Sequence, residues 1–354
     1  MIDLLNLTLP EMESWLAGLG EPRFRASQVF QWLWQKGAAD FAAMTNLSKA
    51  LRGKLAETAA MARPGVADTR VSADGTVKFL LRLADGALVE TVLIPEEDHL
   101  TQCLSSQVGC PMACAFCSTG AGGFTRNMTA GEMAAQILAA RQYLKDAGRD
   151  PKDLRNLVFM GMGEPLLNLD ELLRSLAIIT HDLGLGFSTR RVTVSTCGLP
   201  GPMRRLGASG LASLAVSLHA PTQELRAELM PKAAAAASLD ELMAALRDYP
   251  LTPRQRITIE YVLLAGVNDS AEYARQLVRL LSGVKCKVNL IAYNATPDLP
   301  FAAPAPAAVL AFEKILWDKG MTAVLRKSKG NDIAAACGQL RAAHLDQTTD
   351  NQRE

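Results

Sequence analysis

The sequence predicts an α/β protein built on a partial (β/α)6 barrel, preceded by an N-terminal helical domain and a small antiparallel β extension. Three observations carry this. From about residue 100 onward, strand-like and helix-like stretches alternate, the rhythm of parallel strands joined by helical crossovers. Between residues 65 and 95, period-2 segments are broken by Ala73-Asp74-Gly75-Thr76 and Ala84-Asp85-Gly86-Ala87, and Asp-Gly between alternating runs signals hairpins. From residue 4 to about 60, Val29, Phe30, Leu33 and Trp34 recur at helical spacing among Arg23, Arg25, Lys36, Arg52 and Lys54.

The elements follow in order. A basic helical accessory domain is expected over 1–62, three antiparallel strands over 63–98, the barrel over 99–345 and a disordered polar tail over 346–354. Barrel strands are predicted at 102–108, 154–160, 191–196, 212–218, 257–264 and 287–293, with a weaker seventh at 321–325. Six strands fit a barrel left partly open better than a closed one of eight, with catalytic groups at the strands' C-terminal ends. Two intervening helices open with capping boxes, Thr129-Ala130-Gly131-Glu132 and Ser238-Leu239-Asp240-Glu241. The alanine run 233–237 extends a helix and offers no chemistry.

Bulk properties bound the function. At 354 residues, 49% hydrophobic and 21% charged, the chain suits one large catalytic core with an appendage. No apolar run approaches the ~18 residues of a membrane span, and Met1-Ile2-Asp3-Leu4-Leu5 lacks the features of a secretory signal, so a cytoplasmic location is expected. A formal net charge of +1 gives no global attraction for nucleic acid, so local patches would have to bind RNA.

Seven cysteines, three of them in Cys110-Pro111-Met112-Ala113-Cys114-Ala115-Phe116-Cys117, point to metal or catalytic use rather than a disulfide framework. The spacing C-x3-C-x2-C lets three thiolates converge on one cuboidal cluster and leaves the fourth iron open to chelate a substrate. A structural zinc ion would want a fourth ligand, for which His99 or Cys103 is available.

This triplet resembles that of the radical S-adenosylmethionine (SAM) superfamily, which implies a 4Fe-4S cluster on Cys110, Cys114 and Cys117, with SAM bound at the open iron. Gly161-Met162-Gly163-Glu164-Pro165, after the second apolar barrel strand, resembles the superfamily's glycine-rich turn, in which Gly163 and Glu164 would bind the methionyl ammonium group. Ser195 ends the third strand and Ser217-Leu218-His219 the fourth, positions from which polar groups could reach SAM; a satisfied core histidine and strand-end hydroxyls are the plainer alternatives.

A narrower likeness runs over nearly the whole chain to Leu340. Val89-Glu90-Thr91-Val92, the run from Cys103 to Cys110, Val216-Ser217-Leu218-His219-Ala220 and the run from Arg326 to Leu340 resemble the bacterial RlmN-type RNA adenine methyltransferases. Carbon 2 of adenine is electron-poor and cannot attack the methyl group of SAM directly. The resemblance implies that Cys337, as thiolate, takes a methyl group from one SAM, and that a second SAM is cleaved to a 5'-deoxyadenosyl radical. That radical would take hydrogen from methylated Cys337, which then adds to the base; two SAM molecules are used per turnover. It further implies Glu90 as proton acceptor, Cys103 as the thiol that releases product with a Cys103–Cys337 disulfide, and Asn294 as a SAM contact. Arg326, Lys327 and Lys329 could favour the thiolate, though Cys337 also reads as a small buried hydrophobe and the charge run as a solvated face. Cys197 and Cys286 match no motif and are assigned to packing.

The implied partners are an adenosine of 23S rRNA, an adenosine in the anticodon loop of some tRNAs, and an electron donor such as flavodoxin with its reductase, acting on a monomer away from membranes. The pairs Arg190-Arg191 and Arg204-Arg205 and residues 285–287 are scattered and read equally as ordinary surface, so the helical domain over 1–62 and the antiparallel strands are the candidates for gripping the RNA backbone. One departure stands out: after Leu229-Met230-Pro231 the family continues with a polar, basic segment, where this chain has Lys232 and alanines. Two alternatives stay open at this point, a Cfr-type enzyme acting at carbon 8 of the same base and a non-catalytic, metal-bearing RNA-binding module.

Overall fold

A computed structural model describes residues 1–341; the expected end of the barrel at 342–345 and the tail lie outside the described residues. The N-terminal unit contains β1 (Ile2–Asp3), α1 (Leu9–Gly18), α2 (Phe24–Trp34), α3 (Lys49–Thr58) and β2 (Ala59–Ala60), with β1 and β2 paired in parallel. Thr8 and Glu11 form a capping box at the start of α1. Phe30, Leu33 and Trp34 on one face of α2 are fully buried, each contributing roughly 2–3 kcal/mol of apolar burial. Much of the expected basic face is used internally. Arg52 donates to the Ala42 carbonyl at 2.7 Å, Lys54 to that of Leu19, and Arg23 pairs with Glu13 at 2.6 Å.

The antiparallel strands β3 (Gly65–Val71), β4 (Val77–Arg82) and β5 (Leu88–Pro95) turn where the Asp-Gly pairs predict. They are not a separate sheet. Strand β5 pairs antiparallel with β6 (Leu100–Cys103), the first barrel strand, so one ten-stranded sheet runs through both.

Beyond β6, the chain adds β7 (Gln107–Gly109), α4 (Ser118–Ala121), β8 (Phe124–Asn127), α5 (Ala130–Asp146), β9 (Leu154–Phe159), α6 (Leu169–Thr180), β10 (Val192–Thr196) and α7 (Pro200–Ser209). It continues through β11 (Ser213–Ser217), α8 (Gln223–Leu229), α9 (Pro231–Ala236), α10 (Leu239–Arg247), β12 (Ile257–Leu263), α11 (Ala271–Leu280), β13 (Cys286–Ala292), α12 (Pro306–Asp318) and β14 (Ala323–Arg326). Strands β6, β9, β10, β11, β12, β13 and β14 are parallel neighbours in that order, so the weakly predicted last strand does extend the barrel wall. Both expected capping boxes form, at Thr129 and Ser238.

The strand expected at 102–108 is in fact two. After Cys103 the backbone leaves the sheet because its hydrogen bonds go elsewhere: the Ser106 amide donates to the Met162 carbonyl at 2.8 Å and the Leu104 carbonyl accepts from Gly161 at 3.0 Å. The later piece, β7, pairs antiparallel with β8 and clips together the two ends of the loop holding Cys110, Cys114 and Cys117. Gly109 is required here, because its φ is +76° and a Cβ would meet the Gly123 carbonyl oxygen at 2.1 Å.

Candidate active site

One cavity opens at the C-terminal ends of the barrel strands. Its wall includes Cys110, Cys114, Cys117, Gly163, Glu164, Ser195, Ser217, His219, Asn294 and Cys337, drawn from the cysteine loop, the ends of β10 and β11 and the segments after β9, β11, β13 and β14. Three predicted site residues do not face it. Leu218 is fully buried with its amide bound to the Glu260 carbonyl at 3.1 Å, and Cys103 and Glu90 lie behind the wall on β6 and β5.

Strain concentrates at this place. The non-glycine residues with positive φ among the described residues are Ala113, in the cysteine loop, His219 and Ala334, just before Cys337. Each costs about 1–3 kcal/mol and persists only where surrounding contacts over-determine it. Gly163 is a further case, since at φ +104° its Cβ would meet Gln107 Cβ at 2.7 Å and Ser106 Oγ at 2.8 Å.

The Glu164 carboxylate is buried and fixed. It accepts from the Leu166 amide at 3.0 Å and the Cys197 amide at 2.7 Å. Burial nonetheless raises its pKa, so a cation placed beside it would favour the charged form. Cys197, assigned to packing from sequence, is buried but also lines the cavity, and its amide orients Glu164. Arg226 is a positioning residue that the sequence did not reveal. Fully buried, it donates to the carbonyls of Cys197 at 2.5 Å and Leu218 at 3.1 Å and so joins the loops after β10 and β11. His219 accepts from the Val262 amide through Nδ1 at 3.0 Å and meets the Phe116 ring edge-on at 4.9 Å between centroids. Burial drops its pKa to about 3, with the Arg226 charge adding, so the imidazole is neutral.

All seven cysteines are free thiols, so the disulfide expected between Cys103 and Cys337 is not formed. Burial pushes the Cys110 thiol up to about 12 and raises that of Cys114, so thiolates here require a cationic partner, as bound iron would supply. Among the described residues no three side chains of His, Cys, Asp or Glu form a ready site for a single metal ion. The three cysteines line one cavity and lie near enough to raise one another's thiol pKa, a donor set that a cluster held by three thiolates would use. Two buried polar atoms on the same wall, Glu260 Oε2 and the Tyr293 hydroxyl, find no hydrogen-bond partner among the described residues, which fits a cavity made for a polar ligand. Nothing in the sequence had singled out Glu260.

Cys337 is exposed, but the surface it offers is cavity wall, and burial raises its thiol pKa, outweighing the opposing charge of Arg326. Of the three basic residues expected to favour a thiolate, Arg326 alone lines the cavity, while Lys329 donates to the Pro95 carbonyl. Cys103 is buried, and its thiol is raised to about 12 by burial and by the nearby Cys337 sulfur. Asn294 Nδ2 donates to the Cys337 carbonyl at 3.4 Å. The end of α8 is tied to the cysteine loop, where the Ala115 amide donates to the Leu229 carbonyl at 2.9 Å, and the Lys232 charge lies near Cys110.

Comparisons with known proteins agree with this geometry. Residues 2–61 match the family described as the ribosomal RNA large subunit methyltransferase N-terminal domain, and residues 104–278 match the radical SAM superfamily. A dual-specificity RNA methyltransferase RlmN of Nitratidesulfovibrio vulgaris (Miyazaki F) is 62% identical over 98% of this chain and 95% of its own length. The RlmN of Geobacter sulfurreducens is 50% identical over 96% of this chain and 92% of its own. A crystal structure of a radical SAM methyltransferase from Sphaerobacter thermophilus superposes with a TM-score of 0.90 at 46% identity, covering 97% of this chain and 100% of that one. The chain belongs to the RlmN family of dual-specificity RNA methyltransferases, within the radical SAM superfamily.

Proposed function

We propose that this protein methylates carbon 2 of one adenosine in 23S rRNA and of an adenosine in the anticodon loop of some tRNAs, with Cys337 as the methyl carrier. The observation that carries the reading is the shared cavity, whose wall holds Cys337 together with Cys110, Cys114 and Cys117. Cys110, Cys114 and Cys117 would hold one 4Fe-4S cluster, which would supply the electron that cleaves SAM, while SAM itself, two molecules per turnover, would supply the methyl group.

The chain's own residues then hold and orient. Gly163 and Glu164 offer a strained backbone turn and a buried carboxylate to an ammonium group, while Ser195, Ser217 and His219 present polar atoms along the adjoining strand ends. Asn294 steadies the Cys337 peptide. Glu90, whose oxygens are engaged by Lys78 and by the Arg341 amide at 2.8 Å, accepts a proton from the base only after exchanging one of these partners for substrate. Cys103 is the second thiol near Cys337 and serves product release. The target base must leave its stack to reach this cavity, which suits loops and unpaired ends of RNA.

The N-terminal unit, matched over residues 2–61 by the ribosomal RNA methyltransferase domain, favours carbon 2 over the carbon 8 chemistry of Cfr-type enzymes. A monomer working in the cytoplasm with a flavodoxin-type electron donor completes the reading; among the described residues no helix is long and apolar enough to cross a membrane. The test is Cys337→Ala in cluster-loaded protein. Methyl transfer to protein and to RNA should both vanish with iron content unchanged, whereas RNA methylation in that variant would overturn the mechanism. Identifying the methyladenosine isomer in RNA from cells with and without the gene decides between carbons 2 and 8.

A further inference from the structure

We propose that Lys78 is a positioning residue for the Cys337 segment, gripping it from both sides through a buried ion pair with Glu90. Lys78 on β4 and Glu90 on β5 are diagonal neighbours on one face of the antiparallel pair, because Lys78 registers with Val92 and Leu80 with Glu90. Lys78 Nζ lies 3.0 Å from Glu90 Oε1, and both side chains are more than nine-tenths buried. The same ammonium donates to the Ala334 carbonyl at 3.1 Å, and the other oxygen of Glu90 accepts the Arg341 amide at 2.8 Å. Ala334 precedes Cys337 and Arg341 follows it, so one charge pair fixes the chain on either side of the reactive sulfur.

Stability alone does not account for such a pair. Taking two charges out of water costs several kcal/mol, and apolar residues of similar volume often serve the fold as well or better. What apolar residues cannot do is hold a carbonyl and an amide of a separate segment in a fixed place. Ala334 needs holding, since it is a non-glycine residue at φ +51°. The grip also governs Glu90, whose two oxygens are both engaged while Lys78 and Arg341 stay in place. The proposal deepens the reading of Cys337 as methyl carrier and rests on it for its functional consequence.

Hydrogen exchange followed by mass spectrometry tests the grip on the full, cluster-loaded chain under anaerobic conditions. In Lys78→Met, exchange over residues 330–341 should rise on the order of tenfold while the barrel peptide 257–263 stays unchanged. Lys78→Arg, which keeps charge and reach, should restore most of the protection. If Lys78→Met fails to fold because Glu90 is left buried and unpaired, the double variant Lys78→Met, Glu90→Met removes both charges and should show the same local loosening. Unchanged exchange over 330–341, or a rise shared equally by 257–263, overturns the proposal. In turnover, kcat of Lys78→Met should fall about tenfold with KM for RNA within about twofold, the pattern of a misplaced reactive group. A wild-type protein that forms no methylcysteine defeats the carrier reading and leaves the exchange result standing, so the two failures are distinguishable.

Discussion

The amide of Ser118 donates to the carbonyl of Gly338 at 2.8 Å. These residues follow Cys117 and Cys337 directly in the chain, so this bond ties the cysteine loop to the reactive segment. The Thr119 hydroxyl adds a second tie, to the Leu340 carbonyl at 2.6 Å. The segment is thus held by the cysteine loop on one flank and by the β3–β4 hairpin on the other, where Asp74 accepts the Gly330 amide at 2.8 Å and Ser72 donates to Asp332 at 2.6 Å.

Gly338 sits at φ +82°, a conformation that an alanine adopts only at a cost of about 1–2 kcal/mol. Gly338→Ala should therefore shift the Cys337 sulfur without removing it, lowering methyl transfer about tenfold or more at constant iron content. Single-turnover formation of methylcysteine is the measurement. Wild-type rates in that variant would show that the left-handed turn is not needed to place the thiol.

Cys114→Ser should leave the fold intact and empty the site of iron. A hydroxyl at this buried position will not ionise to bind iron, and the remaining two thiols cannot hold a cuboidal cluster. Iron and sulfide analysis after anaerobic reconstitution should give background values with an unchanged far-ultraviolet circular dichroism spectrum. Stoichiometric iron would mean that another residue completes the ligand set.

His219 makes stability depend on pH with a defined sign. Its pKa in the folded chain is about 3 against an ordinary 6.5, so its contribution is fully present above 6.5 and is lost as pH falls from there toward 3. Between about pH 7 and pH 5 this one group removes roughly 2 kcal/mol. His219→Asn suits the positive φ of 56° and does not titrate, so wild type should lose about that much more than the variant on acidification. Urea midpoints at the two pH values measure the difference, and equal losses would remove the buried histidine from the account.

Arg226→Met keeps most of the volume but strips the buried Cys197 carbonyl of its donor and leaves the Leu218 carbonyl with the Ala220 amide alone. Each unsatisfied group costs about 1–3 kcal/mol, partly offset because a buried cation no longer has to be desolvated. A net loss of about 2 kcal/mol is expected, with weaker SAM binding because His219 rides on one of the loops that Arg226 joins and Glu164 is held by the Cys197 amide on the other. Calorimetric titration with SAM and thermal melts check both. A destabilised variant with unaltered SAM affinity would confine Arg226 to the core.

The sequence by itself determined the local features: the hairpins at the Asp-Gly pairs, the capping boxes at Thr129 and Ser238, the alternating strands and helices, and the C-x3-C-x2-C loop. Each depends on residues within a few positions of one another, where backbone preference and hydrogen bonding act directly. Residues 102–108 mark the boundary of that reading. They sit where the strand–helix alternation calls for a strand, yet the chain bends at Leu104 because backbone partners arrive from the Gly161–Met162 turn, which sequence spacing does not reveal. The tertiary structure alone decided that Lys78 and Glu90 clasp residues far along the chain, that Arg226 fastens two loops, and that Glu260 faces the cavity with one oxygen unpartnered among the described residues. These are buried charges, and whether such a group is a cost or a tool depends on which distant atoms meet it once the sheet has closed around them.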